Sequence, residues 1–171
     1  VIQLMLAGNS LDESVEKTIK RMNNQLNYFQ QTRGEDVFNI FVNSIASIYG
    51  PHTSYMSPKT SEDFDINMSL SLEGIGALLS SDGLYTSISS LVPGGPAEKT
   101  DSLKPEDKII GVGQDAEGEI VDVIGWRIDD VVDLIRGPKG SKVRLKIIPS
   151  TALSETETKE VEIIRNVVKL E

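Results

Sequence analysis

Residues 72–79, Leu-Glu-Gly-Ile-Gly-Ala-Leu-Leu, hold the arrangement in this chain best suited to chemistry. Gly74 and Gly76 flank Ile75, and an apolar run follows at once. Glycine enters backbone conformations closed to other residues and lets a second chain approach closely. A Gly-Ile-Gly turn feeding a strand can aim consecutive backbone N–H groups at one point, a nest for an anion. The strand beginning at Ala77 and Leu78 then offers an edge for an extended peptide to pair with. Together these parts suit capture of a C-terminal carboxylate combined with strand addition. An ordinary turn or bulge is the competing reading of such a glycine pair.

Other residues with chemical potential read more plainly. His52 is the sole histidine, placed between Pro51 and Thr53 as a turn residue is. There is no cysteine and no HExxH-type spacing, so neither a metal site nor a cofactor is expected. Lys139 and Ser141 invite a Ser–Lys nucleophile reading. That chemistry needs a buried lysine of lowered pKa within reach of the serine. A Pro-Lys-Gly-Ser turn is a solvated place, so no catalytic residue is assigned. Gly111-Val-Gly113 with Gly118 lacks dinucleotide-binding spacing.

The elements that must position the glycine loop follow from periodicity. Ser10-Leu-Asp-Glu13 has capping-box form, and Leu11, Val15, Ile19, Met22, Leu26 and Phe29 then recur at helical steps. A second helix is predicted from about Glu35 to Tyr49, with Gly50 as a C-terminal glycine cap and Pro51 blocking continuation. Ser61-Glu-Asp-Phe suits one more short helical turn. Strands are predicted near Leu70–Leu72, Ala77–Ser80, Tyr85–Leu91, Lys108–Val112 and Lys142–Pro149, with a tight turn at Ser81-Asp-Gly83. A helix from about Ile128 to Arg136 is stopped by Gly137-Pro138, and Trp126 before it reads as a core or domain-contact anchor. Residues 150–159 form a polar loop, and Glu160–Lys169 reads as a final strand.

Composition bounds the function. Apolar residues make up 39% and charged residues 25% of the 171, which suits a globular chain with a real core. A net charge of −9 argues against nucleic acid and anionic membranes as partners. Without cysteine, disulfides and thiolate catalysis are excluded. No uninterrupted apolar stretch approaches membrane-spanning length, so membrane insertion is not expected. Starting at Val1 rather than methionine, the chain reads as a piece of something longer.

The order of motifs is informative. After the glycine loop come Val92-Pro-Gly-Gly-Pro-Ala-Glu-Lys, Ser102-Leu-Lys-Pro-Glu-Asp-Lys-Ile-Ile-Gly-Val, and Asp129-Asp-Val-Val-Asp-Leu-Ile-Arg-Gly-Pro-Lys-Gly-Ser. This order resembles a PDZ domain of the bacterial, permuted type. With Gly50-Pro-His-Thr-Ser-Tyr-Met-Ser-Pro and Met68-Ser-Leu-Ser-Leu-Glu-Gly-Ile-Gly-Ala, it resembles the carboxy-terminal processing protease family from about Glu35 onward. Gly50 stands where that family usually has Asp, and Glu106 where a Gly-Asp pair is usual.

The resemblance implies an α+β chain: a PDZ-like, partly open β-barrel or sandwich with one main groove helix, preceded by helices. Expected boundaries are 1–66 for the helical region, 67–150 for the PDZ domain, and 151–171 for a loop and strand leading toward a protease domain outside this chain. Within this context Gly74, Ile75 and Gly76 take the carboxylate. On the predicted helix, Ile128, Val132 and Ile135 form one stripe and Val131 with Leu134 another. The first is assigned to the peptide side-chain groove with Ala77 and Leu78, the second to the core. Family members are serine endopeptidases with a Ser–Lys dyad in a separate domain, and the resemblance implies a periplasmic location for the parent of this chain. The implied partners are apolar C-terminal tails of unfolded or misfolded proteins and the parent's own protease domain. A free-standing PDZ scaffold of the cell envelope is the alternative reading.

Overall fold

The computed structural model describes residues 1–154 and 156–169. Positions 155, 170 and 171 of the expected exit segment lie outside the described residues. The chain divides into two compact units, Val1–Ser61 and Glu62–Glu171.

The first unit is helical: α1 (Ile2–Leu6), α2 (Leu11–Gln30), α3 (Gly34–Tyr49) and the start of α4 (Pro58–Ser69), which runs on into the second unit. The Ser10 hydroxyl accepts from the Glu13 N–H at 3.3 Å, and the Ser10 N–H donates to the Glu13 carboxylate at 3.0 Å. This reciprocal pair satisfies donors that every helix start leaves open. Asn43 ties the loop after α3 back onto that helix, donating to the Tyr55 carbonyl and accepting from the Tyr55 N–H. Gly50 ends α3 with an extended backbone, φ 176°, rather than the left-handed cap its position predicts. The apolar stripes of these helices stay exposed, Met22 and Leu26 on α2 and Phe41 and Ile48 on α3 among them.

Glu13 gives a pH prediction. The Ser10 N–H and then the Ser10 hydroxyl hold its carboxyl below the usual range, burial opposes them slightly, and Lys17 adds a smaller pull. A depressed folded pKa contributes stability that is present above the unfolded value and lost as pH falls through the folded one. The protection of amides in the first turn of α2, taken relative to their intrinsic exchange rate, is therefore expected to fall over that acidic window. In Glu13→Gln the same amides should show no such pH-dependent step.

The second unit is mostly antiparallel sheet. Its strands are β1 (Ser71–Gly74), β2 (Ala77–Asp82), β3 (Tyr85–Leu91), β4 (Lys108–Gln114), β5 (Ile120–Asp122), β6 (Lys142–Ile148), β7 (Lys159–Ile164) and β8 (Asn166–Lys169). Two helices interrupt them, α5 (Pro96–Lys99) and α6 (Ile128–Ile135). The main sheet runs β2-β3-β4-β6-β7 with β5 on β4, and β1 pairs with β8 in a separate ribbon. The sheet is not closed, which agrees with the partly open barrel or sandwich expected from the sequence.

Side chains alternate across a strand, and Val143, Leu145 and Ile147 of β6 and Val161 and Ile163 of β7 all point into the core. Ile88, Ile109, Val112 and Val131 of β3, β4 and α6 complete its centre. Each fully buried aliphatic side chain contributes about 1.5–3 kcal/mol, so this cluster is the main stabilising feature of the unit. Trp126 stays 43% exposed and outside it.

Two turns are set by backbone chirality. Gly83, φ +64°, supplies the left-handed residue of the two-residue β2–β3 hairpin. Glu106 also adopts a left-handed conformation, φ +71°, and its N–H donates to the Ile88 carbonyl at 2.7 Å. That is a conformation glycine enters without strain. Next to it, buried Asp107 accepts from the N–H groups of Lys104 and Ser150, both at 2.8 Å, and so joins two distant loops.

Candidate peptide-binding groove

The Gly74–Gly76 loop links the β1–β8 ribbon to the main sheet. Gly74 ends β1 opposite Asn166 of β8. Ile75 is 3% exposed, and its carbonyl accepts from the Ala97 N–H of α5 at 2.8 Å. Gly76 has φ +74°, and its carbonyl accepts from the Val92 N–H at 2.9 Å. Both carbonyls are thus held inward by the protein. The N–H groups of Ile75 and Gly76, by contrast, have no acceptor among the described residues. Buried N–H groups are nearly always paired, so two adjacent open donors in a glycine turn are a place for an external acceptor.

The glycine at 76 is required twice over. Its φ strains any side chain, and a Cβ there would sit 3.3 Å from both the Gly95 Cα and Val168 Cγ2. Gly95 is itself confined, since its own Cβ would come within 2.9 Å of the Val92 carbonyl oxygen.

A groove of about 430 Å³ lies against this loop. One wall is β2, through Ala77, Leu78 and Leu79; the other is α6, through Val132 and Ile135. As an edge strand, β2 leaves one side of its backbone unpaired. Its register with β3 shifts between Leu78 and Leu79, a bulge of the kind that re-aims side chains beside sites.

The structure therefore brings together Gly74, Ile75, Gly76, Ala77, Leu78, Val132 and Ile135 around one cavity. Ile128, from the same helical stripe, is half-buried and does not line it. Val131 is fully buried in the core and Leu134 packs against that core. Sequence reasoning missed Leu72, Val92 and Val168, and also Asp63, Ile66 and Asn67 of α4 and Arg136 after α6, all of which line the groove. Arg136 pairs with Asp63 at 2.9 Å.

The base of α6 is held by a second arginine. Arg165, between β7 and β8, is 3% exposed. Its Nε donates to the Ile135 carbonyl at 2.8 Å, and Nη2 donates to the Leu134 carbonyl at 3.0 Å and to Gln114 Oε1 at 2.6 Å. Nη1 donates to the Lys142 carbonyl and the Ser141 hydroxyl. Burial pulls its pKa below the ordinary arginine value, partly offset by Asp115. Ser141 in turn donates to the Pro138 carbonyl at 2.6 Å, so its hydroxyl is engaged in fixing this turn. Lys139 is exposed, with its N–H on Glu73.

An edge strand and a helix flanking a groove, headed by a glycine loop with open N–H groups, describe a domain of the PDZ class. A PDZ domain model matches residues 63–148, and a tail specific protease N-terminal domain model matches residues 1–59. The chain belongs to the PDZ domain family, in the arrangement of the carboxy-terminal processing, or tail-specific, proteases. It is 44% identical over all 171 residues to the tail-specific protease of Haemophilus influenzae, spanning 24% of that protein. It is 32% identical over 141 residues, 82% of this chain and 28% of the relative, to the carboxy-terminal processing protease CtpA of Bacillus subtilis. The chain thus spans about a quarter of the length of these curated relatives.

The crystal structure of the PDZ domain of the carboxy-terminal protease from Vibrio cholerae, solved in complex with peptide, matches with a TM-score of 0.55 and 51% identity. The match covers 59% of this chain and 100% of that one. The photosystem II D1 C-terminal processing protease shares the fold, with a TM-score of 0.50 and 24% identity over 75% of this chain and 32% of that one. Among the described residues no helix is long and apolar enough to cross a membrane.

Proposed function

We propose that the Glu62–Glu171 unit captures the apolar C-terminal tail of a client polypeptide and presents it to the protease domain of a longer parent, a periplasmic serine endopeptidase. The single observation that carries this reading is the pair of unpartnered N–H groups at Ile75 and Gly76 beside a groove bounded by an edge strand and a helix. The carboxylate takes those donors, the peptide backbone pairs with β2, and the last apolar side chain packs against Val132 and Ile135. The peptide complex of the Vibrio cholerae PDZ domain supports the ligand class. The proteases among the relatives support the role of the tail in cleavage rather than in scaffolding.

Two charge-assisted N–H bonds contribute roughly 1.5–3 kcal/mol each, and one or two buried apolar side chains about 1.5–3 kcal/mol each. Lost rigid-body freedom costs about 4 kcal/mol or more, so these terms leave at most about 8 kcal/mol, a Kd no tighter than about 1 μM. Calorimetric titration with an apolar-tailed peptide is expected to show binding of the free acid and at least a tenfold loss with the C-terminal amide. Equal affinities would remove the carboxylate role from the Gly-Ile-Gly loop.

A further inference from the structure

We infer that Asp63 is an internal stand-in for the ligand's carboxylate: α4 is a lid on the groove, held by Arg136, which exchanges Asp63 for the incoming C-terminus. This rests on the peptide-tail reading above and adds its regulation. Asp63, Ile66 and Asn67 stand at helical positions i, i+3 and i+4, so one face of α4 is presented together, and all three line the groove. A helix has thus been laid along a cavity whose other walls suit a peptide.

Arg136 is placed to serve lid, helix and loop at once. Its backbone N–H donates to the Val132 carbonyl at 2.8 Å, which fixes it to the end of α6. Its Cγ lies 4.0 Å from where a Cβ on Gly74 would stand, beside the carboxylate loop. Its Nη1 donates to Asp63 Oδ1 at 2.9 Å. A guanidinium binds a carboxylate through a planar fork and does not distinguish a side-chain carboxylate from a chain terminus. The side chains of Arg136 and Asp63 are 30% and 44% exposed. A pair this wet is held weakly and exchanges readily, as a fully buried pair would not. Peptide entry therefore frees the face of α4 that carries Asp63, Ile66 and Asn67.

The test uses the whole 171-residue chain, a free-acid apolar peptide and its amide, with wild type, Asp63→Asn, Arg136→Gln and the double variant. Asp63→Asn is expected to bind the free acid about two- to fivefold more tightly, the scale of an exposed ion pair. That gain should vanish in the Arg136→Gln background. Hydrogen exchange should show faster exchange in residues 63–69 of wild type on adding the free acid, and in Asp63→Asn without peptide. Unchanged or weaker binding by Asp63→Asn would make the pair a static brace and overturn the lid, while leaving peptide capture intact. If wild type binds neither peptide but Asp63→Asn binds the acid, the lid stands as a block. If no variant binds either peptide, capture and lid both fall.

Discussion

Gly76→Ala is expected to abolish measurable peptide binding, whereas Gly83→Ala, with a similar backbone penalty, leaves it intact. Both glycines sit in the left-handed region, φ +74° and +64°, where an L side chain costs about 1–2 kcal/mol. They differ in their surroundings. A Cβ at Gly83 meets nothing within 4 Å, while one at Gly76 meets the Gly95 backbone and Val168 at 3.3 Å. Those neighbours belong to the segments that hold the loop, so the added methyl displaces the N–H groups of Ile75 and Gly76. Urea denaturation should show both variants folded, with Gly76→Ala lower by up to about 3 kcal/mol. Titration with the free-acid peptide then separates strain from site geometry. Equal affinity for the two variants would mean that the loop does not face the ligand.

Arg165→Met should be among the most destabilising single changes in the second unit, about 2–5 kcal/mol. The guanidinium is the donor for the carbonyls of Leu134, Ile135 and Lys142 and for Gln114 Oε1. Methionine fills similar space but donates nothing. Each acceptor stranded without water costs about 1–3 kcal/mol, reduced where water enters. Two of those carbonyls lie in the last turn of α6, which a cation also favours through the helix dipole. Loss of the clamp should therefore loosen Ile135, a groove wall, before the sheet melts. A lowered denaturation midpoint with early exchange in α6 is the expected signature. Ser141→Ala, which removes one of the five partners, should cost far less. An unfolding free energy within about 1 kcal/mol of wild type would show that water replaces the clamp.

Much of this architecture was legible because it is local. The Gly-Ile-Gly turn, the hairpin at Gly83 and the helix opening at Ile128 each announce themselves within a few residues, and capping at Ser10 is written in four. What stayed hidden is non-local or weakly patterned. The pairing of Ser71 with Lys169 brings Leu72 and Val168 to the groove across most of the chain, and no periodicity carries that. The predicted final strand breaks at Arg165 because the guanidinium turns inward to the end of α6, a role its neighbours in sequence do not signal. Helix α4 is polar and only faintly amphipathic, Pro-Lys-Thr-Ser-Glu-Asp-Phe-Asp-Ile-Asn-Met-Ser. One short turn was visible there, and the groove wall it forms was not. Ile120–Asp122 is too short a strand to stand out from its loop.

The ribbon of β1 with β8 has a mechanical meaning. The chain reaches the sheet at Ser71 and leaves it at Lys169, and these two residues are paired across adjacent antiparallel strands. Neighbouring strands lie about 4.8 Å apart, so the whole sheet unit hangs from two points almost touching. A host polypeptide could accept it at a single peptide bond with little loop-closure entropy, because the ends already meet. The same stem makes the module portable. It should survive transplantation into an exposed loop of an unrelated protein, and circular permutation joining residues near 71 and 169 should cost it little.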